Sequence, residues 1–146
     1  IYQQHHGDDG IYAPPPLDLA AEQKTGSFVR QQILSGGISA AHDIADGGLV
    51  VAIAEMAMRS GFGADIAVPK TGNLHGWAFG EDQARFVVST ADSQTLTAAA
   101  KEAGIKITKL GMVSDRSELK FGDNDTISIT ELNTAFEGCI PALMAG

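Results

Sequence analysis

The stretch Gly47-Gly48-Leu49-Val50-Val51-Ala52-Ile53-Ala54-Glu55-Met56-Ala57-Met58-Arg59 is apolar almost all round. At a helical period it leaves hardly any polar stripe for solvent, so it predicts a helix packed on several sides within a larger assembly. Just before it, residues 38–43 have the length of a buried strand, and the run His42-Asp43-Ile44-Ala45-Asp46-Gly47-Gly48-Leu49 joins the two. A strand that ends in aspartates and turns through two glycines into an apolar helix demands a sheet with helices laid against it.

The remaining segments fit that demand. Asp18 can cap a helix running to about Ser35, with Leu19, Phe28, Val29, Ile33 and Leu34 as its apolar face and Gly36-Gly37 at its end. Gly26 weakens the middle, so two shorter helices are an alternative. Gly61 and Gly63 close the apolar helix, and residues 64–68 read as a strand before Pro69. A Gly-rich connection then leads through Phe79-Gly80-Glu81-Asp82-Gln83-Ala84 into a strand at 85–89. A helix opens at Ala91 or Asp92 and runs to about Ala103, and residues 105–113 read as a strand. Residues 118–121 and 126–129 form a hairpin closed by Gly122-Asp123-Asn124-Asp125, and a last helix over 131–144 is weakened by Gly138 and Pro141. The order predicts an α/β (α+β) fold, a mixed sheet with helices packed on it. Residues 1–17, with Pro14-Pro15-Pro16, read as a linker or N-terminal extension, and 18–146 as one domain.

Charge and cysteine content narrow the function. A net charge of −8 with no Lys/Arg cluster disfavours nucleic acid and anionic membranes as partners. No apolar stretch approaches the roughly 20 residues that span a bilayer. Cys139 is the single cysteine, which suits a reducing, cytoplasmic compartment. Its setting, Glu137-Gly138-Cys139-Ile140-Pro141, offers no base, so a buried small hydrophobe is expected rather than a nucleophile. The chain starts at Ile1 without a signal-peptide pattern, as a piece of a longer enzyme would.

Asp43, Asp46, Gly47 and Gly48 stand where a helix presents its first free amides. Amides and helix dipole attract a phosphate, while the two aspartates repel one unless Mg²⁺ bridges them. Three readings stay open: Asp46 caps the helix while Asp43 bonds nearby backbone, the group touches a ligand, or it holds a metal. His42 reads as a hydrogen-bonded structural histidine more readily than a catalytic one. Glu81, Gln83 and Arg85 offer acceptors and a fork-shaped donor for hydroxyls or phosphate, or else form a solvated loop with a local Glu–Arg pair. Glu55 reads as a carboxylate bonded to a neighbouring strand. His5 and His6 are a weak metal pair, and residues 123–125 lack the spacing of a calcium loop.

Taken together, four segments resemble the C-terminal domain of phosphoribosylformylglycinamidine synthases. They are Pro14-Pro15-Pro16-Leu17-Asp18-Leu19, the run from His42 through Ala57, the segment from Phe79 to Val88, and Ile107-Thr108-Lys109-Leu110-Gly111-Met112-Val113. Ala45 and Ala84 depart from the Ser and Gly that the family often carries there. The resemblance implies an aminoimidazole-ribonucleotide-synthetase-like domain of an ATP- and Mg²⁺-dependent ligase of purine biosynthesis. That ligase makes formylglycinamidine ribonucleotide from formylglycinamide ribonucleotide and glutamine-derived ammonia. Partners implied are the parent's other domains, a glutaminase and small accessory subunits. The chain ends soon after its last helix, which favours the small-subunit form over one fused to a glutaminase. The resemblance places no catalytic residue and no metal ligand here, and makes the isolated domain inactive. It likens the segment of Glu81, Gln83 and Arg85 to the wall of an auxiliary nucleotide site; Asp43, Asp46, Gly47 and Gly48 stay candidates for nucleotide or substrate binding, though their run serves best as a family fingerprint and a helix start. Alternatives are another enzyme of the same superfamily, of the selenophosphate synthetase or hydrogenase-maturation type, and a non-enzymatic interaction module.

Overall fold

A computed structural model describes residues 18–123 and 125–145. The expected linker over 1–17, with its histidines and prolines, lies outside the described residues, as does Asn124 of the acidic turn. The elements in order are α1 (Leu19–Leu34), β1 (Ala40–Asp43), α2 (Gly48–Ser60), β2 (Gly63–Ile66), α3 (Leu74–Phe79), β3 (Phe86–Ser89), α4 (Ser93–Glu102), β4 (Gly111–Ser114), β5 (Glu118–Phe121), β6 (Asp125–Ser128) and α5 (Ile129–Ala145).

Two sheets frame the helices. β1 and β3 pair antiparallel, with His42 opposite Val87 and Asp43 opposite Phe86. The second sheet has the order β4-β2-β5-β6; β2 runs parallel to β5, and the other pairs are antiparallel, so the sheet is mixed as expected. The hairpin is β5–β6, with Phe121 opposite Asp125. The expected strand over 105–113 shrinks to β4, because β2 offers only four residues to pair with.

The apolar helix is the centre. Leu49, Ala52, Ile53 and Ala57 of α2 are buried with Ile44, Ile66, Val87, Leu119 and Ile129, so α2 fills the space between elements of both sheets. Each large aliphatic side chain taken fully from water contributes about 1.5–3 kcal/mol, which makes this cluster the dominant stabilising feature. A smaller cluster of Val29, Ile38 and Leu96 ties α1 to the β1 approach and α4.

Local chemistry sets the helix ends. The Asp18 carboxylate accepts from the amides of Ala20 and Ala21 at 3.1 and 3.0 Å, and Asp92 accepts from those of Gln94 and Thr95. α1 runs unbroken through Gly26, so the two-helix alternative is wrong. The cost of one interior glycine, about 1 kcal/mol, is less than what burial of Val29 returns. At α5, Ser128 and Glu131 cap each other: the Ser128 amide donates to Glu131 and the Glu131 amide donates to the Ser128 hydroxyl oxygen. That box starts the helix at Ile129, two residues before the expected place, and the helix continues through Gly138 and Pro141. Cys139 is exposed on it, so the expectation of a buried cysteine fails: residues 134–145 lie outside the core.

Candidate functional site

The sequence-predicted site residues Asp43, Asp46, Gly47, Gly48, Glu81, Gln83 and Arg85 fall in two segments, the β1–α2 turn with its flanking residues and the loop before β3, and the fold joins them. The first loop leaves β1 at Asp43 and turns into α2. Gly47 and Gly48 both adopt left-handed backbone, with φ of 82° and 77°. Gly48 has a second constraint: a Cβ there would stand 2.6 Å from Phe79 Cα and 3.0 Å from the Ala78 carbonyl oxygen. The end of α3 therefore rests on the first turn of α2. The sequence there predicts a Gly-rich connection instead of a helix, since Gly72, Gly76 and Gly80 all weigh against one. The Asn73 side chain, accepting the Gly76 amide at 2.9 Å, is the local signal that marks its start.

The second loop, 80–85, follows α3 back toward β3. The Glu81 carboxylate accepts the Gly47 amide at 2.9 Å, and the Arg85 carbonyl accepts the Ile44 amide at 3.0 Å. These two bonds hold the turn that carries Asp43, Asp46, Gly47 and Gly48 to the loop that carries Glu81, Gln83 and Arg85. Two local readings are corrected by them. Asp46 does not cap α2: Gly47 is the N-cap and no side chain caps it from its own segment, because the left-handed turn carries Asp46 into solvent. Nor do Glu81 and Arg85 pair. Glu81 is drawn to the helix N-terminus, and Arg85 binds Asp82 at 3.0 Å instead.

Asp43 is exposed at the end of β1, with Oδ1 3.6 Å from His42 Nδ1, and Gln83 is exposed in the turn. Ala84, next to it, holds φ of 60°, a conformation disfavoured for a residue with a Cβ. Glu55 reaches from α2 to His42 on β1 at 3.0 Å, as the strand-bonded reading expects. Beside the two loops lies an open, largely apolar cleft of about 280 Å³, lined by Val50, Val68, Leu74, Trp77, Phe79 and Phe121 together with His75 and Ala78.

Asp43, Asp46, Glu81 and Asp82 give the two segments four carboxylates against one cation, Arg85, which is already paired with Asp82. The Glu81 carboxylate sits at the helix N-terminus, the place a free phosphate would otherwise be drawn to. The surface thus offers hydroxyl acceptors and an apolar shelf, and binds a phosphate there only if Glu81 is displaced. Among the described residues, no group of three or more His, Cys, Asp or Glu side chains gathers as a metal site.

The profile of the AIR synthase related protein C-terminal domain matches residues 2–124. The chain belongs to this family. Among relatives, a phosphoribosylformylglycinamidine synthase subunit PurL of Parvibaculum lavamentivorans is 46% identical over 139 residues, which cover 94% of this chain and 19% of that protein. The corresponding Chelativorans subunit is 48% identical, covering 90% of this chain and 18% of its own length. The chain therefore spans about a fifth of the length of these relatives. Thermotoga maritima PurL complexed with FGAR has the same fold, with a TM-score of 0.71 at 16% identity over 87% of this chain and 23% of that one. The PurL of that organism complexed with ATP superposes with a TM-score of 0.64 at 16% identity, over 75% of this chain and 21% of the other. At such identities the likeness speaks for the AIR-synthase-type fold alone.

Proposed function

We propose that this chain is the C-terminal domain, residues 18–146 with a linker over 1–17, of a phosphoribosylformylglycinamidine synthase of the small-subunit type. The observation that carries this reading is the 46% identity to a PurL subunit across 94% of the chain. The parent is then a cytoplasmic, ATP- and Mg²⁺-dependent carbon–nitrogen ligase of purine biosynthesis. It turns formylglycinamide ribonucleotide and glutamine-derived ammonia into formylglycinamidine ribonucleotide. Its partners are a glutaminase and small accessory subunits, a reading supported by the PurLQS structure of Thermotoga maritima, whose fold matches this chain with a TM-score of 0.68. Among the described residues no helix is long and apolar enough to cross a membrane.

Within that enzyme, the domain acts as a wall rather than as the reacting centre. Asp43, Asp46, Gly47, Gly48, Glu81, Gln83 and Arg85 form the surface turned toward bound nucleotide or substrate. Exposed apolar side chains on α5, Phe136, Ile140 and Leu143, suit a domain that packs against other parts of its parent.

Replacing the matching segment of the Parvibaculum subunit with this chain tests the assignment. The chimera should restore growth without purines to a strain lacking that subunit, and a soluble chimera that fails to do so would count against it. The isolated chain, given formylglycinamide ribonucleotide, ATP, Mg²⁺ and ammonia, should form no product. Any turnover would overturn the scaffold role.

A further inference from the structure

His42 is surrounded by acceptors. Its Nδ1 lies 2.7 Å from the Asp43 carbonyl oxygen, which can only accept, so Nδ1 must carry a proton and donate. Nε2 lies 3.0 Å from Glu55 Oε2, also an acceptor when the carboxylate is ionised. A neutral ring has one N–H and cannot serve both contacts. The arrangement is complete only when the pair holds one further proton, as imidazolium with carboxylate or as neutral ring with carboxylic acid.

The position of the pair gives that proton a consequence. Glu55 lies two turns into α2 and His42 is one residue before the end of β1, so the contact closes a loop around residues 43–54. The Asp43–Gly48 turn lies inside that loop. Across β1 stands Val87 of β3, without charge. Arg85, which directly precedes that strand, is bound to Asp82. On α2, Arg59 lies one turn beyond Glu55, and on β1 Asp43 stands 3.6 Å from Nδ1. Among these groups, Glu55 is the one whose contact requires the extra proton.

We propose that His42 and Glu55 are a proton-sharing positioning pair that sets the geometry of the Asp43–Gly48 turn, and that loss of the shared proton loosens it. The pair is a property of this domain and stands or falls independently of what the parent enzyme binds. Glu55→Gln separates proton from contact, because a glutamine amide can donate to an unprotonated Nε2 and so keep the bridge without the extra proton.

The test is a pH series of ¹⁵N–¹H spectra of this 146-residue chain, together with the ring signals of its histidines. In the unaltered chain, the amide signals of Gly47 and Gly48 should move in step with the His42 ring signals, with one common midpoint. In Glu55→Gln the glycine signals should stop following that step while the fold persists, and in His42→Gln the step should vanish. The proposal is overturned if the glycine signals ignore the His42 step, or if Glu55→Gln leaves their response unchanged.

Discussion

The Gly47 amide and the Glu81 carboxylate, 34 residues apart, meet at 2.9 Å and cap the central helix from outside its own segment. One bond thus holds the N-terminus of α2 to the loop that precedes β3. Glu81→Ala should lower stability by about 0.5–1.5 kcal/mol, the ordinary worth of such a bond, measured by urea unfolding. Glu81→Gln keeps an acceptor but loses the charge at the helix dipole, so it should cost less than Glu81→Ala. An alanine variant as stable as the parent chain would show that water replaces the carboxylate at no cost.

Gly48 should tolerate no side chain. Gly48→Ala combines a left-handed conformation with a Cβ that runs into the backbone of Phe79. The two penalties add to about 2–5 kcal/mol. A fall in unfolding midpoint of that size, with weakened amide protection in α3, is the expected result. Gly26→Ala is the contrast, because nothing lies within 4 Å of its added Cβ and its backbone is helical. It should stabilise the chain by about 0.5–1 kcal/mol.

Ala84 is the reverse case. It holds φ of 60° without being glycine, so Ala84→Gly should relieve strain. Relief of about 1–2 kcal/mol is offset in part by glycine's greater freedom when unfolded, leaving a net gain of about 0.5–1 kcal/mol. Thermal unfolding of the variant reads this directly, and a lower midpoint would contradict it.

Two capping carboxylates predict the acid response. The Thr95 hydroxyl, followed by the amides of Thr95 and Gln94, holds the Asp92 carboxyl below the usual aspartate range. The hydroxyl and amide of Ser128 do the same for Glu131. Because both folded-state values are depressed, each group stabilises the fold above its unfolded value and loses that contribution as pH falls toward the folded one. Asp92→Asn and Glu131→Gln should therefore lower the unfolding midpoint at pH 7. The deficit should shrink as pH falls below about 4, where the unaltered carboxylates also become protonated.

How much of this could be read without coordinates depended on whether the signal was local. The run from Gly47 to Arg59 dictated a central helix, since no amphipathic alternative exists for so apolar a stretch. Asp18 and Asp92 announced their helices because a cap needs only the next three residues. The Ser128–Glu131 box was equally local, and its spacing could have placed the start of α5 correctly. The polar residues of both loops were also visible as candidates, by composition and by resemblance.

The sequence alone therefore determined the long helices, the approximate strands and the family, but not α3. Tertiary structure decided the pairings. Asp46 stood closest to the helix start along the chain, yet Glu81 caps it; Glu81 stood near Arg85, yet Asp82 takes that cation. The short α3, whose glycines argue against a helix, lies against Gly48 because only glycine leaves room there. Caps, periodicity and apolar runs act over a few residues and are written in order. Which carboxylate meets which donor depends on two loops brought together by the burial of α2, and proximity in space is not encoded by proximity in sequence.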